Sequence, residues 1–134
     1  MMPTPQRLIL LMVSAAAATA AEPAPDFAKD VRPILSNHCF KCHGPDEEGR
    51  KGKLRLDVRS AALEPAKSGA RAIVPSNPDA SEAIVRILSD DPDEVMPPPA
   101  AKHSLTPAQK ETLRRWIASG AAYSEHWAFS APQR

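Results

Sequence analysis

Aromatic residues are scarce in this chain. Phe, Trp and Tyr make up 4% of its 134 residues, a thin supply for a core of this size, since aromatic side chains carry much of the buried area in most domains. A bulky apolar cofactor would fill such a shortfall, although low aromatic content has no force alone. Glycine is also sparse, at five residues against fifteen prolines, and that balance predicts long loops between a few short helices. Neither sign of charge is in excess: 17 basic and 16 acidic residues leave a formal charge of +1. Without the first twenty residues, which hold the single basic residue Arg7, the tally is 16 against 16. A balanced surface argues against nucleic acid as a partner, because phosphate neutralisation needs a clear basic excess. The length suits one domain and is too short for two ordinary ones. Charged residues at 25% and hydrophobic residues at 43% suit a soluble globular protein.

A long hydrophobic run is missing too. The longest, Leu8 to Ala18, is shorter than the roughly 18 apolar residues of a spanning helix. It follows the positive flank of Arg7 and precedes Ala18-Thr19-Ala20, a small-residue cleavage pattern that places a cut after Ala20 or Ala21. Residues 1–21 therefore read as an export signal, and the mature chain is expected in the periplasm or cell envelope. An uncleaved anchor is the alternative. No cysteine lies near the cleavage site, so a lipid anchor is not expected, nor is membrane contact beyond the signal.

What is present is a handful of helical signals. Phe27, Val31 and Ile34/Leu35 recur at helical spacing behind a candidate N-cap, Asp26, and Pro33 should kink or shorten that helix. Gly44 to Gly52 reads as a loop, and Lys53 to Asp57 as a short extended segment with Leu54 and Leu56 on one side. Ser60 to Lys67 suggests a brief helix. Ser76-Asn77-Pro78-Asp79 is a turn opening another, with Ile84, Val85, Ile87 and Leu88 as its apolar face. Asp90 to Ala101, with Pro92 and Pro97 to Pro99, cannot be regular structure. The clearest element comes last: Thr106 caps it, Pro107 takes its first position, Gln109 completes a capping box, and Gly120 ends it. Leu113, Trp116 and Ile117 are its buried stripe, expected to cross the first helix around Phe27 and Val31. The fold class is all-α, with about three to five short helices.

Only two cysteines occur, and they stand in Cys39-Phe40-Lys41-Cys42-His43. C-x-x-C-H is the attachment signature of a c-type haem. Two thiols add across the two vinyl groups of the porphyrin and fix its position, and the adjacent His43 projects its imidazole beneath the ring to the iron. A Cys₂His₂ zinc site using His43 with His38 or His103 is a second reading. A dithiol redox pair and a structural disulfide are others. An exported chain whose only cysteines stand in this motif favours one covalent haem c.

The iron's other axial position needs a ligand, a substrate site or water. Once Met1, Met2 and Met12 leave with the signal, Met96 is the one methionine remaining, 53 residues beyond His43 (96 − 43). A thioether favours ferrous iron; the plainer reading is a methionine filling a gap in the core. Met96 stands immediately before Pro97 to Pro99, a poor place for core packing, so ligation is preferred. Surface placement is the default for His38 and His103, and a solvated face for the basic run Arg50, Lys51, Lys53, Arg55 and Arg59. Arg55 could instead bond a haem propionate. Asp90, Asp91, Asp93 and Glu94 read as a solvated acidic run.

Taken together, several stretches resemble the small cytochrome c modules found at the N-termini of large exported planctomycete proteins. They are Phe27 to Leu35, Cys39 to Gly44, Leu54 to Asp57, Ile73-Val74-Pro75, Asp90 to Pro98, Leu105-Thr106-Pro107, and Arg115-Trp116-Ile117. The resemblance implies a small class I-like cytochrome c fold around one haem over residues 22–125. It implies His43 as proximal and Met96 as distal ligand, with electron transfer as the activity and no catalytic residue. The partner would be a redox protein or a fused downstream domain. Family members continue into larger domains after a segment similar to His126-Trp127-Ala128-Phe129, so residues 126–134 form a tail that could open a linker. The rivals are a haem enzyme or ligand sensor with a displaceable sixth ligand, and a zinc-stapled interaction module.

Overall fold

In the computed structural model, residues 20–124 are described. The export-signal reading rests on Arg7 to Ala18, outside those residues, and so does the tail 126–134. The chain begins with a π-helical turn, Phe27–Val31, that runs into helix α1, Arg32–His38. Asp26 caps it as expected: its carboxylate accepts from Lys29 N at 2.8 Å, while Asp30 accepts from Asp26 N at 2.8 Å. Pro33 does not end the helix, which runs on to His38. Its missing N–H and its ring would disrupt an α-turn ahead of it. The preceding turn widens instead, with Val31 N bonded to the Asp26 carbonyl at 3.3 Å and Arg32 N to that of Phe27. Pro33 then falls in the first turn of α1, where no N–H is needed.

Helix α2 is only Arg59–Ala62, shorter than the 60–67 expected, because Pro65 disfavours helical backbone at the residue before it. The segment of Leu54 and Leu56 forms no strand. Gly52 and Lys53 both take φ of +59°, so the chain is still turning as it enters, and Leu56 N bonds the His43 carbonyl at 2.8 Å rather than a strand partner. Extended pairing among the described residues is limited to one isolated bridge, Pro65 to Arg71. The 3₁₀ turn Pro78–Ala80 leads into α3, Glu82–Leu88. Ile84 and Ile87 are buried there, but Val85 and Leu88 are 48% and 54% exposed. The expected four-residue apolar face is therefore half right: seven residues make about two turns, and only the inward positions pack.

A second 3₁₀ turn, Pro99–Ala101, precedes α4, Pro107–Ala118, whose Thr106/Gln109 capping box is complete. Gly120 closes α4 with φ of +114°, a backbone state that favours glycine. The π-helical turn and α3 both pack on α4. Trp116, 2% exposed, sits where they meet. Its ring centroid lies 5.8 Å from that of Phe27 and 5.3 Å from that of Tyr123, and its Nε1 donates to the Ala122 carbonyl at 2.8 Å. The expected crossing of the first and last helices is thus observed.

The basic run is solvated as expected, with Lys51, Lys53 and Arg59 exposed and Arg50 and Arg55 half-buried, but its arginines also make hydrogen bonds. Arg50 donates to the Gly44 and Pro45 carbonyls, Arg59 to those of Ala121 and Gly120, and Arg55 to Asp57. All three arginines of the run are thus hydrogen-bonded, and two of them, Arg50 and Arg59, bond backbone carbonyls. The acidic run, Asp90, Asp91, Asp93 and Glu94, is exposed.

Truncating Trp to Ala in a core costs about 3–5 kcal/mol. Trp116→Ala should lower the thermal unfolding midpoint by about 10 °C or more, measured by circular dichroism; an unchanged midpoint would mean the stripe is not buried. The hydrogen bond from Arg55 holds the Asp57 carboxyl below its usual 3.8, against partial burial, which pushes it up. A depressed carboxyl contributes stability that is present above its unfolded pKa and lost as pH falls through the folded one. Asp57→Asn should therefore flatten the loss of stability between neutral pH and about pH 3. An unchanged pH profile would contradict the pairing.

Candidate functional site

Helix α1 does not stop at His38 so much as tighten. Cys39 N and Phe40 N both bond the Leu35 carbonyl, at 2.8 and 2.9 Å, and Cys42 N and His43 N both bond that of Cys39, at 3.1 and 2.8 Å. The five residues of the motif thus make one compact turn on the helix end. Gly44 follows it, buried, and a Cβ there would run into the Phe40 carbonyl oxygen, so no larger residue fits without moving the backbone next to His43. Arg50 clamps the far side through the carbonyls of Gly44 and Pro45, at 3.0 and 3.1 Å. Lys51 N closes back onto the Cys42 carbonyl at 2.7 Å.

These constraints set the chemistry of the side chains. His43 is half-buried, and its Nδ1 lies 3.2 Å from the Lys51 carbonyl. A carbonyl can only accept, so Nδ1 carries the proton and Nε2 keeps its lone pair, the arrangement common in metal-ligating histidines. Burial lowers the His43 pKa, with the Lys51 carbonyl opposing, so the neutral imidazole is favoured. Burial pushes the Cys39 thiol up to about 11, with Cys42 adding to the effect. A redox-active dithiol needs an accessible thiolate, and Cys39 is the opposite. Both cysteines are free, so no disulfide staples the turn.

Beside this turn opens a cleft of about 330 Å³, within the roughly 300–1,000 Å³ span of small-molecule and cofactor sites. Cys39 and His43 line it, together with Leu54, Leu56, Leu113 and Trp116. Leu54 and Leu56 face the same way, as the alternation suggested. Met96 lines the same cleft. It is half-buried and held in its loop by its N–H, which donates to the Arg86 carbonyl at 3.1 Å. The cleft therefore brings together Cys39, His43 and Met96; Cys42 is half-buried in the same turn but is not part of the wall.

His38 and His103 go elsewhere. His38 Nδ1 lies 2.9 Å from the His103 carbonyl, the two rings stand edge to face 6.3 Å apart, and neither lines the cleft. Among the described residues no group of three or more His, Cys, Asp or Glu side chains could hold a metal ion, so the zinc reading finds no donor set. Arg55 is committed to Asp57, which leaves little of its fork for a propionate. Glu82 and Arg86 also stand in the wall, and sequence reasoning missed both; their spacing of four on a helix was the only available signal.

The donor set suits a haem of the c type. It offers a tethering thiol in the wall with a second beside it, an imidazole with a free lone pair, a soft thioether, and an apolar surround. No buried side-chain nitrogen or oxygen among the described residues lacks a partner, so nothing in the wall calls for a small polar ligand. No helix of the described residues is long and apolar enough to cross a membrane.

Comparison with known families points the same way. Residues 39–100 match the family model described as planctomycete cytochrome C, a stretch that begins at the first cysteine and runs past Met96. Neither a curated protein nor a solved structure matches the chain. The helical architecture, without strands among the described residues, the cysteine turn and the family match over residues 39–100 together support a planctomycete-type cytochrome c module.

Proposed function

We propose that this chain is an exported electron-transfer protein, holding one haem c through Cys39 and Cys42 with His43 and Met96 as axial ligands. One observation carries the reading. Cys39 and His43, at the end of α1, and Met96, from a proline-rich loop, line one apolar cleft. The family match over residues 39–100 supports haem-based electron transfer rather than catalysis.

The haem, when bound, supplies one-electron exchange between ferric and ferrous iron. The remaining work belongs to the chain. Two thioether links let a small domain hold a large group without a large pocket, and the compact turn holds both sulfurs close to His43. The Nδ1 hydrogen bond to Lys51 orients the imidazole and raises its basicity. The Met96 sulfur, as a ligand, would favour the ferrous state and raise the potential. Leu54, Leu56, Leu113 and Trp116 exclude water from the cleft, which limits reorganisation when the charge changes. On this reading the module carries electrons and has no catalytic residue to name. Its partner is a redox protein or a fused downstream domain, and its place is the periplasm or cell envelope, in keeping with the export signal read at residues 1–21.

Met96→Ala tests the ligand set. The variant should bind added cyanide or carbon monoxide faster, and redox titration should show a lower potential, since ligand choice moves haem potentials within a span of about 0.8 V. Should another side chain take the place of Met96, the potential still falls while ligand binding stays slow. If both potential and ligand binding match the unaltered protein, Met96 is not the ligand, and a haem enzyme or ligand sensor becomes the better reading.

A further inference from the structure

Met96 stands on irregular chain, and a weak thioether ligand needs its loop held in place. The acidic segment before it makes a single turn, in which Glu94 N and Val95 N both bond the Asp91 carbonyl, at 3.1 and 2.9 Å. That turn is tied to α3 through one residue, Arg86. The Arg86 carbonyl accepts the Met96 N–H at 3.1 Å, and its guanidinium donates through Nη1 to the Glu94 carbonyl at 3.4 Å. The guanidinium is aimed by Glu82, whose Oε1 accepts from Arg86 Nε at 3.0 Å. Both side chains stand in the wall of the cleft that Met96 lines.

We propose that Arg86, oriented by Glu82, is a positioning residue that holds the 94–96 loop so that the Met96 sulfur stays at the cleft; this rests on the reading of Met96 as the iron's distal ligand. A Glu–Arg pair four apart on a helix is ordinarily a solvated ornament worth a few tenths of a kcal/mol, and these two side chains are each 39% exposed. Two facts set this pair apart. The same guanidinium reaches outside its helix to a carbonyl two residues before Met96. The backbone of the same residue receives the Met96 amide, so side chain and main chain grip both ends of a three-residue span. Removing the side-chain grip leaves the Glu94 carbonyl to water and one hydrogen bond, from Met96 N, to hold the loop to Arg86. A hydrogen bond to a charged group contributes more than a neutral one, and partial exposure reduces that gain.

The test uses the haem-loaded protein and five variants: Met96→Ala alone, and Arg86→Gln and Glu82→Gln, each alone and each combined with Met96→Ala. Cyanide binding to the ferric form reads how often the sulfur leaves the iron. The far-red charge-transfer band of Met–iron ligation reads the bond itself, and amide hydrogen exchange at Met96 in the haem-free chain reads the loop without the metal. Arg86→Gln should speed cyanide binding about threefold to tenfold, as expected for loss of one partly exposed charged hydrogen bond. It should also weaken the band and hasten exchange at Met96. Glu82→Gln should do the same to a smaller extent, and both effects on cyanide should vanish in the Met96→Ala background. An unchanged rate, band and exchange in Arg86→Gln, while Met96→Ala still opens the site, overturns the positioning role and leaves the ligand reading intact. An equal acceleration in the Met96→Ala background also overturns it, since the effect would then come from charge near the iron. If Met96→Ala alone changes nothing, the ligand reading fails and this inference fails with it. Should Arg86→Gln not fold, Glu82→Gln decides by the same three readouts.

Discussion

The turn from Cys39 to Gly44 is the constraint on which the rest depends, because in the proposed function two sulfurs and an imidazole nitrogen would have to meet one planar group at fixed positions. Main-chain hydrogen bonds hold it almost completely. The Leu35 carbonyl receives Cys39 and Phe40, the Cys39 carbonyl receives Cys42 and His43, and the carbonyls of Cys42 and His43 receive Lys51 and Leu56. Gly44 has no room for a side chain, and Arg50 fastens the carbonyls beyond it. A free loop could wander; a turn grown directly from the end of a buried helix cannot, and the lost freedom is paid for once, when α1 packs. The orientation of His43 follows from the same closure, since the chain that returns at Lys51 supplies both the N–H that bonds Cys42 and the carbonyl that bonds the imidazole.

Helix packing places that turn beside the cleft. Phe27, Trp116 and Tyr123 form an aromatic cluster, with Phe27 and Tyr123 stacked at 4.4 Å, and this locks the first helical segment to the last. Leu35, Leu113, Trp116 and Ile117 belong at once to the core and to the cleft wall. The cleft is thus an opening in the core itself, lined largely by apolar side chains. On the far wall, α3 contributes Ile84 and Ile87 from its buried face, while Arg86 links the helix to the loop of Met96.

Where local signals were strong, the sequence was legible. The Thr106 capping box, the stripe of α4, the Asp26 cap and the crossing at Trp116 all depend on short-range chemistry or on helical period, and all are found as read. The departures share another cause. The Pro33 site kept its helix because a π-helical turn absorbed the proline, an adjustment that no residue pattern announces. Val85 and Leu88 look apolar on paper yet face outward, since a helix as short as α3 has only one inward edge. The bonds from Arg50 and Arg59 in the solvated basic run went unread because their partners are backbone carbonyls, and carbonyls carry no sequence signal. The same blindness hid Lys51 as the partner of His43 and Arg86 as the tie to Met96. The meeting of Met96 with Cys39 and His43 at one cleft was legible only through chemistry: one methionine, one C-x-x-C-H, and a reason for the two to be near.

The central claim is that Cys39 and Cys42 bind haem covalently in the exported chain. Its most direct test is the visible spectrum of the protein recovered after export, oxidised and reduced, before and after acid–acetone extraction of any haem not covalently bound. The account predicts haem bands that sharpen on reduction and stay with the polypeptide through extraction, and that disappear when both cysteines are replaced by alanine. A colourless protein, or haem that leaves with the solvent, would contradict it.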